Sequence, residues 1–248
     1  MSVIGVVKYD IIQGRFKKNG DFMQYLPLDK SEILRYLGYR RKQALTDEVS
    51  ELVDQMMLEV QEIANARYLY QVYDFTLDAE KSAIHVTGTD LVLTSTHLYQ
   101  QLKQATKIVL LAVTLGVEVD RQIRLYQSSE LTKGLVLDAA CAAYIEKVCD
   151  LAEVELAAEF SNYELNRRFS PGYGDLSLMV QPQFLTTLAA DRQLGISLTE
   201  TYLMIPRKSV TAIIGLFDAD TIVRPRRRLS DGLTLEMAEK AKFNQRRT

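Results

Sequence analysis

The sequence predicts a mixed α+β globular domain, and three observations carry that reading. Short runs rich in β-branched and aromatic residues alternate with longer segments whose apolar residues recur every three or four positions. No internal repeat, low-complexity linker or clear boundary divides these segments. The 248 residues, 47% hydrophobic and 25% charged, have the length and balance to bury a sizeable core.

Each element follows in order. Val3 to Tyr9 is apolar and β-branched and suits a strand, and residues 10–28 are expected to be irregular. Asp29 or Ser31 can cap a short helix through Tyr36, with Gly38 suited to its end. Thr46 opens a stronger helix along Val49, Leu52, Val53, Met56, Met57, Val60 and Ile63. Residues 67–76 suit a strand, and 82–94 read as one strand or a pair turning at Thr87 to Asp90. Ser95 can cap a helix to about Gln104. Ile108 to Thr114 is a continuous apolar run of buried-strand type, ended by Gly116. A helix over 117–127 precedes a long one from Glu130 to Phe160, opened by Ser128 or Ser129. The small residues of the long helix (Gly134, Ala139, Ala140, Ala142, Ala143) predict close packing. After a break, a helix over 181–191 leads to two strands, Ser197 to Ile205 and Ser209 to Phe217, joined by Pro206-Arg207-Lys208.

Residues 1–221 therefore read as one domain and 222–248 as a basic tail. The tail holds eight basic residues against three acidic ones, while the whole chain carries a net −2. Such a run is either a solvated segment or a docking surface for an acidic partner.

Several function classes drop out. The near-zero net charge argues against a protein that coats nucleic acid. Two cysteines and two histidines exclude an all-cysteine zinc or iron–sulfur centre and a multi-histidine site. Cys141 and Cys149 fall on one helix, roughly 12 Å apart and too far for a disulfide, so they read as reduced buried thiols of a cytoplasmic protein. The first residues carry no signal-peptide pattern. The most apolar uncharged run, Ile108 to Val117, is far short of the ~20 residues a membrane span needs. No G-x-G-x-x-G, Walker loop or H-E-x-x-H is present.

The most informative segment is Arg167-Arg168-Phe169-Ser170-Pro171-Gly172-Tyr173-Gly174-Asp175. Pro171 fixes φ, and Gly172 and Gly174 permit φ > 0 and close approach of the backbone to a neighbour. An arginine at its entrance can grip a carboxylate or phosphate with its planar fork. The same residues also make a tight turn with a surface arginine. Both readings stand at the level of composition.

Arg168, Gly172 and Tyr173 spell R-x-x-x-G-Y, and GISLTETYLMIPRKSV (Gly195 to Val210) follows. Together with the preceding helix and LDKSEILRYLGY (Leu28 to Tyr39), these resemble the activation domain of cobalamin-dependent methionine synthase, over about residues 28–217. The resemblance implies a free-standing version of that domain, because 248 residues cannot hold the enzyme's other modules. It implies a single C-shaped α+β domain, a twisted antiparallel sheet surrounded by helices. It also implies binding of S-adenosylmethionine as methyl donor for reductive reactivation of cobalamin carried by a partner. The expected partners are a cobalamin-binding methionine synthase subunit and a flavodoxin-like reductant, with no nucleic acid and no membrane. The chain would then be a component of a methyltransferase rather than a complete enzyme.

By the same resemblance Arg168 binds the ligand, through its methionyl carboxylate, and the backbone of Gly172, Tyr173 and Gly174 lines the site. Glu146 is either a carboxylate near the ligand's charged end or an exposed helical glutamate. Asp29 is either an acidic site residue or a helix N-cap. Thr199 and Glu200 match a supporting L-T-E stretch. Two departures stand out: Gly174-Asp175-Leu176-Ser177 replaces the family's Pro-Ala-Cys-Pro, and Phe217 to Val223 lacks its paired tyrosines. Two other classes compete with this reading: a non-catalytic regulatory module for another corrinoid protein, and a cobalamin-independent small-molecule methyltransferase.

Overall fold

The structure, a computed structural model, describes the backbone of residues 4–10, 16–18 and 22–24 and all of residues 26–40 and 43–218. The basic tail, and the tyrosine comparison beyond Asp218, lie outside the described residues.

The centre is a strand that has water on neither side. Lys107–Thr114 is buried at seven of its eight positions, as its unbroken apolar run requires. It is β8 of an open five-stranded antiparallel sheet in the order β1-β4-β8-β12-β9. The other members are β1 (Ile4–Asp10), β4 (Arg67–Tyr73), β9 (Tyr163–Leu165) and β12 (Ser209–Asp218).

Side chains alternate across the sheet with a period of two, and both faces are covered. Tyr68, Tyr70, Val109, Leu111, Val113, Ala212 and Ile214 face one core. Its cover is α1 (Lys30–Tyr36), α2 (Asp47–Ile63), α4 (Val117–Ser129) and α5 (Leu131–Glu159). Leu69, Tyr73, Ile108, Leu110, Ala112 and Ile213 face the other. There the cover is α3 (Thr96–Leu102), α6 (Gln181–Leu188), α7 (Ala190–Leu194) and a small sheet of β5 (Phe75–Asp78), β6 (Ala83–Val86) and β7 (Val92–Thr94). Each fully buried Leu, Ile or Val contributes about 1.5–3 kcal/mol by leaving water.

The apolar residues of the 29-residue α5 are spread round the helix rather than confined to one face, which suits a helix buried on most of its surface. Gly134 lets it pass close to α4, because a Cβ there would lie 2.9 Å from Gln127. Ala139, Ala140 and Ala143 are buried as close packing requires, and Ala142 is less so. Cys141 and Cys149 are free and buried, and burial pushes both thiols up in pKa.

Five expectations are corrected. Residues 10–28 are not wholly irregular: β2 (Phe16–Lys18) and β3 (Phe22–Gln24) pair antiparallel, on either side of an Asn19-Gly20 turn signal. Residues 67–76 are two strands, because the chain leaves the central sheet at Asp74, whose carboxylate pairs with Lys107. Ser128 and Ser129 do not cap α5. Their hydroxyls donate back to Leu125 O at 2.7 and 3.1 Å, so α4 runs on to Ser129. The helix expected over 181–191 breaks at Ala189 (φ +51°) into α6 and α7. Ser197 to Ile205 is a hairpin of β10 (Ser197–Leu198) and β11 (Met204–Ile205), turned by Thr199 to Leu203. Residues 82–94 resolve as the pair β6 and β7, with Gly88 at φ +79°.

Candidate functional site

The segment singled out in the sequence leaves β9 along the edge of β12. Asn166 Nδ2 donates to Gln101 O at 3.3 Å, and its Oδ1 accepts from Gly215 N at 2.8 Å. Phe169 then pairs with Ile213 through both backbone bonds, at 2.9 and 2.8 Å. From Leu165 to Phe169 this side carries one residue more than Leu216 to Ile213 opposite, so a bulge falls at Arg167–Arg168. Phe169 packs into the core below the sheet, and the bulge aims Arg168 at α5.

There the guanidinium meets three carboxylates. Nη2 donates to Glu146 at 2.6 Å, and Nη1 donates to Asp150 at 3.0 Å and to Glu153. Residues 146, 150 and 153 stand at steps of four and three, one stripe of the helix. Arg168, Asp150 and Glu153 are 10–15% exposed at the side chain and Glu146 is 42% exposed, so Glu146 is the solvent-facing edge. Burial opposes the charge of Arg168, Cys149, Glu153 and Glu146 favour it, and the net effect raises its pKa. At neutral pH Cys149 is a neutral thiol, so the carboxylates hold the arginine charged. Three acids of α5 converge on this one guanidinium.

The same stripe continues toward the start of α5. Leu135, Asp138, Ala139 and Ala142, with Tyr36 and Leu37 of α1, line a cleft of about 260 Å³. Ala142 lies one turn before Glu146.

Beyond Arg168 the chain turns sharply. Tyr173 N donates to Ser170 O at 3.0 Å and Gly172 N to Leu176 O at 2.7 Å. Gly172 (φ +86°) and Gly174 (φ +57°) both occupy conformations that disfavour a side chain. A Cβ would come within 2.8 Å of Leu178 at the first and of His97 Nδ1 at the second. The turn lifts Tyr173 to 70% exposure, its ring seated edge-on against Phe169 at 5.6 Å. Asp175 closes the loop onto the start of α3. It accepts from Ser95 Oγ, from Thr96 N at 2.7 Å and from His97 N at 3.3 Å. The Ser95 hydroxyl is the largest influence, and together with the backbone amides of Thr96 and His97 it outweighs desolvation and holds this carboxyl below its ordinary range.

Of the residues singled out in the sequence, Arg168 and Glu146 are in direct contact. Gly172, Tyr173 and Gly174 form the adjoining loop. Asp29 stands apart from the ion cluster: its carboxylate caps α1, accepting from Ser31 N at 2.8 Å, and α1 packs against α5. Thr199 supports the β10–β11 turn through its hydroxyl, which accepts from Leu203 N at 3.0 Å. Asp150 and Glu153 were not singled out. Their signal was available as acids at four- and three-residue spacing from Glu146 on the long helix, upstream of an arginine pair. Among the described residues no group of three or more His, Cys, Asp or Glu is placed to hold a metal ion. No helix of the described residues is long and apolar enough to cross a membrane.

Comparison with known proteins finds likeness in structure and none in sequence. No family model matches the chain, and no curated protein matches it in sequence. Among solved structures it is similar to the crystal structure of the MetH reactivation domain bound to AdoHcy. The TM-score is 0.61 over 89% of this chain and 81% of that one, at 14% identity. The chain has the mixed helix and antiparallel-sheet fold of that domain.

Proposed function

We propose that this chain binds S-adenosylmethionine and serves as a separate reactivation subunit for a corrinoid-dependent methionine synthase. The observation that carries the reading is the R-x-x-x-G-Y segment mounted on a fold similar to the MetH reactivation domain, which was crystallised with AdoHcy. When bound, the ligand supplies an activated methyl group on a sulfonium. The protein supplies position and charge, and no general acid or base is required of it.

The residues fit such a ligand at its cationic end. Glu146 is the solvent-facing carboxylate of the cluster around Arg168, so it favours an ammonium or sulfonium there. The fork of Arg168 is already engaged by three carboxylates. A ligand carboxylate would reach it by displacing Glu146, the most exposed of the three. The exposed ring of Tyr173 and the glycine backbone beside it offer an edge for the rest of the molecule. A cobalamin-carrying partner and a reductant belong to the same proposal.

Calorimetry with S-adenosylmethionine tests it on the intact chain, on Tyr173→Ala and on Glu146→Gln. Saturable binding is expected, weakened about tenfold (~1.4 kcal/mol) by Tyr173→Ala. A folded chain that takes up no ligand would overturn the proposal. It would leave the rival in which the same fold docks on a corrinoid protein without S-adenosylmethionine. That rival has one observation in its favour, the self-pairing of Arg168.

A further inference from the structure

We infer that Asp175 is a positioning residue: its carboxylate latches the glycine–tyrosine loop to the start of α3 and so sets where Tyr173 stands. The inference concerns the same site and rests on the proposed ligand only for its binding readout.

Four observations support it. Asp175 belongs to the loop, yet all its partners lie about 80 residues earlier in the chain, at Ser95, Thr96 and His97. Ser95 caps only Leu98 N of α3, at 3.0 Å, and Asp175 takes the Thr96 and His97 amides that this cap leaves open. The opposite end of α3 holds the other end of the segment, where Gln101 Nε2 donates to Arg167 O at 2.5 Å and Gln101 O accepts from Asn166. The stretch between these anchors contains two glycines at positive φ, residues with little conformational preference of their own. The turn closes on its own backbone bonds, Tyr173 N to Ser170 O and Gly172 N to Leu176 O, and the attachments at its two ends fix where that turn sits. Arg167 and Asp175 are those attachments, and Tyr173 rides between them.

The test measures amide hydrogen exchange of residues 170–178 and S-adenosylmethionine binding in parallel. Both are done on the full chain, on Asp175→Ala and on Asp175→Asn. Asn keeps Oδ1, the oxygen that meets Ser95 and His97, and loses the acceptor that meets Thr96. In Asp175→Ala, exchange within 170–178 is expected to rise about tenfold, with the chain beyond that loop and the Thr96 and His97 amides unchanged. Ligand binding is expected to weaken about fivefold, and Asp175→Asn should fall between the two. Loop exchange within about twofold of the native chain in Asp175→Ala would overturn the inference. So would faster exchange spread evenly over the whole molecule, or native-strength binding by a loosened loop. If the native chain binds no ligand while the loop loosens as expected, the positioning role stands and the proposed function falls. If the native chain binds and the loop does not loosen, the reverse holds.

Discussion

The two ends of the segment 167–175 are held by different physics. Arg168 is buried against three carboxylates on α5, so its attachment is ionic, largely dry and dependent on the helix beneath. Asp175 is exposed, and its attachment is a set of hydrogen bonds from one hydroxyl and two amides. A buried charge that loses its partner costs several kcal/mol, whereas an exposed one is screened and loses little. The segment therefore couples a rigid root to a loop that can be altered without unfolding the domain. This contrast makes Tyr173 and Asp175 better probes of ligand binding than Arg168.

The sharpest way to break the contrast is Arg168→Ala. It takes the guanidinium away from three carboxylates at side-chain exposures of 10–42%, and a loss of about 3–5 kcal/mol is expected in urea unfolding. A loss below about 1 kcal/mol would show that the root is as soft as the loop. Next comes Gly172→Ala, which combines φ +86° with a Cβ 2.8 Å from Leu178. About 1–3 kcal/mol of destabilisation is expected, read from the thermal midpoint. Gly174→Ala should cost less, since the contacting atom is at the end of the exposed His97 side chain, which can swing away.

Glu146→Gln is the control at the rim of the root. Glu146 is 42% exposed, so stability should change by under about 1 kcal/mol. The removed negative charge should still weaken binding of the cationic S-adenosylmethionine more than that of its neutral thioether product. Equal weakening of both in calorimetry would remove the electrostatic role assigned to Glu146.

The smallest effect is a pH response of the loop. The folded-state pKa of Asp175 is depressed, so its carboxylate favours the latched loop above its unfolded value of about 3.9. That contribution is lost as pH falls below about 3.9 toward the lower folded value. The amide chemical shifts of Thr96 and His97 should stay flat from neutral pH to about 4 and move only below it. Movement beginning well above about pH 4 would point to a group other than the Asp175 carboxylate.

Much of this architecture was legible along the chain. Caps at Thr46 and Ser95, the seven-residue apolar core of β8 and the long α5 follow from local chemistry, because one side chain or one periodicity decides each. The errors cluster where partners lie far away in sequence. Residues 67–76 read as one strand until Lys107 draws Asp74 out of the sheet. Ser128 and Ser129 could have capped forward or bonded back, and only the path of α4 settles which.

The site divides in the same way. The sequence alone determined that residues 171–174 must turn and that an arginine stands at the entrance, since Pro and Gly restrict or free φ locally. Helical periodicity puts Asp150 and Glu153 on one stripe with Glu146, although only Glu146 was singled out from the sequence. Only the tertiary structure decided that the bulge beside β12 swings Arg168 into that stripe. It alone decided that Asp29 stays with its own helix as a cap and that Asp175 reaches across to α3. Those outcomes depend on long-range strand register and on competition among charges for partners, and neither quantity is written in any local stretch of residues.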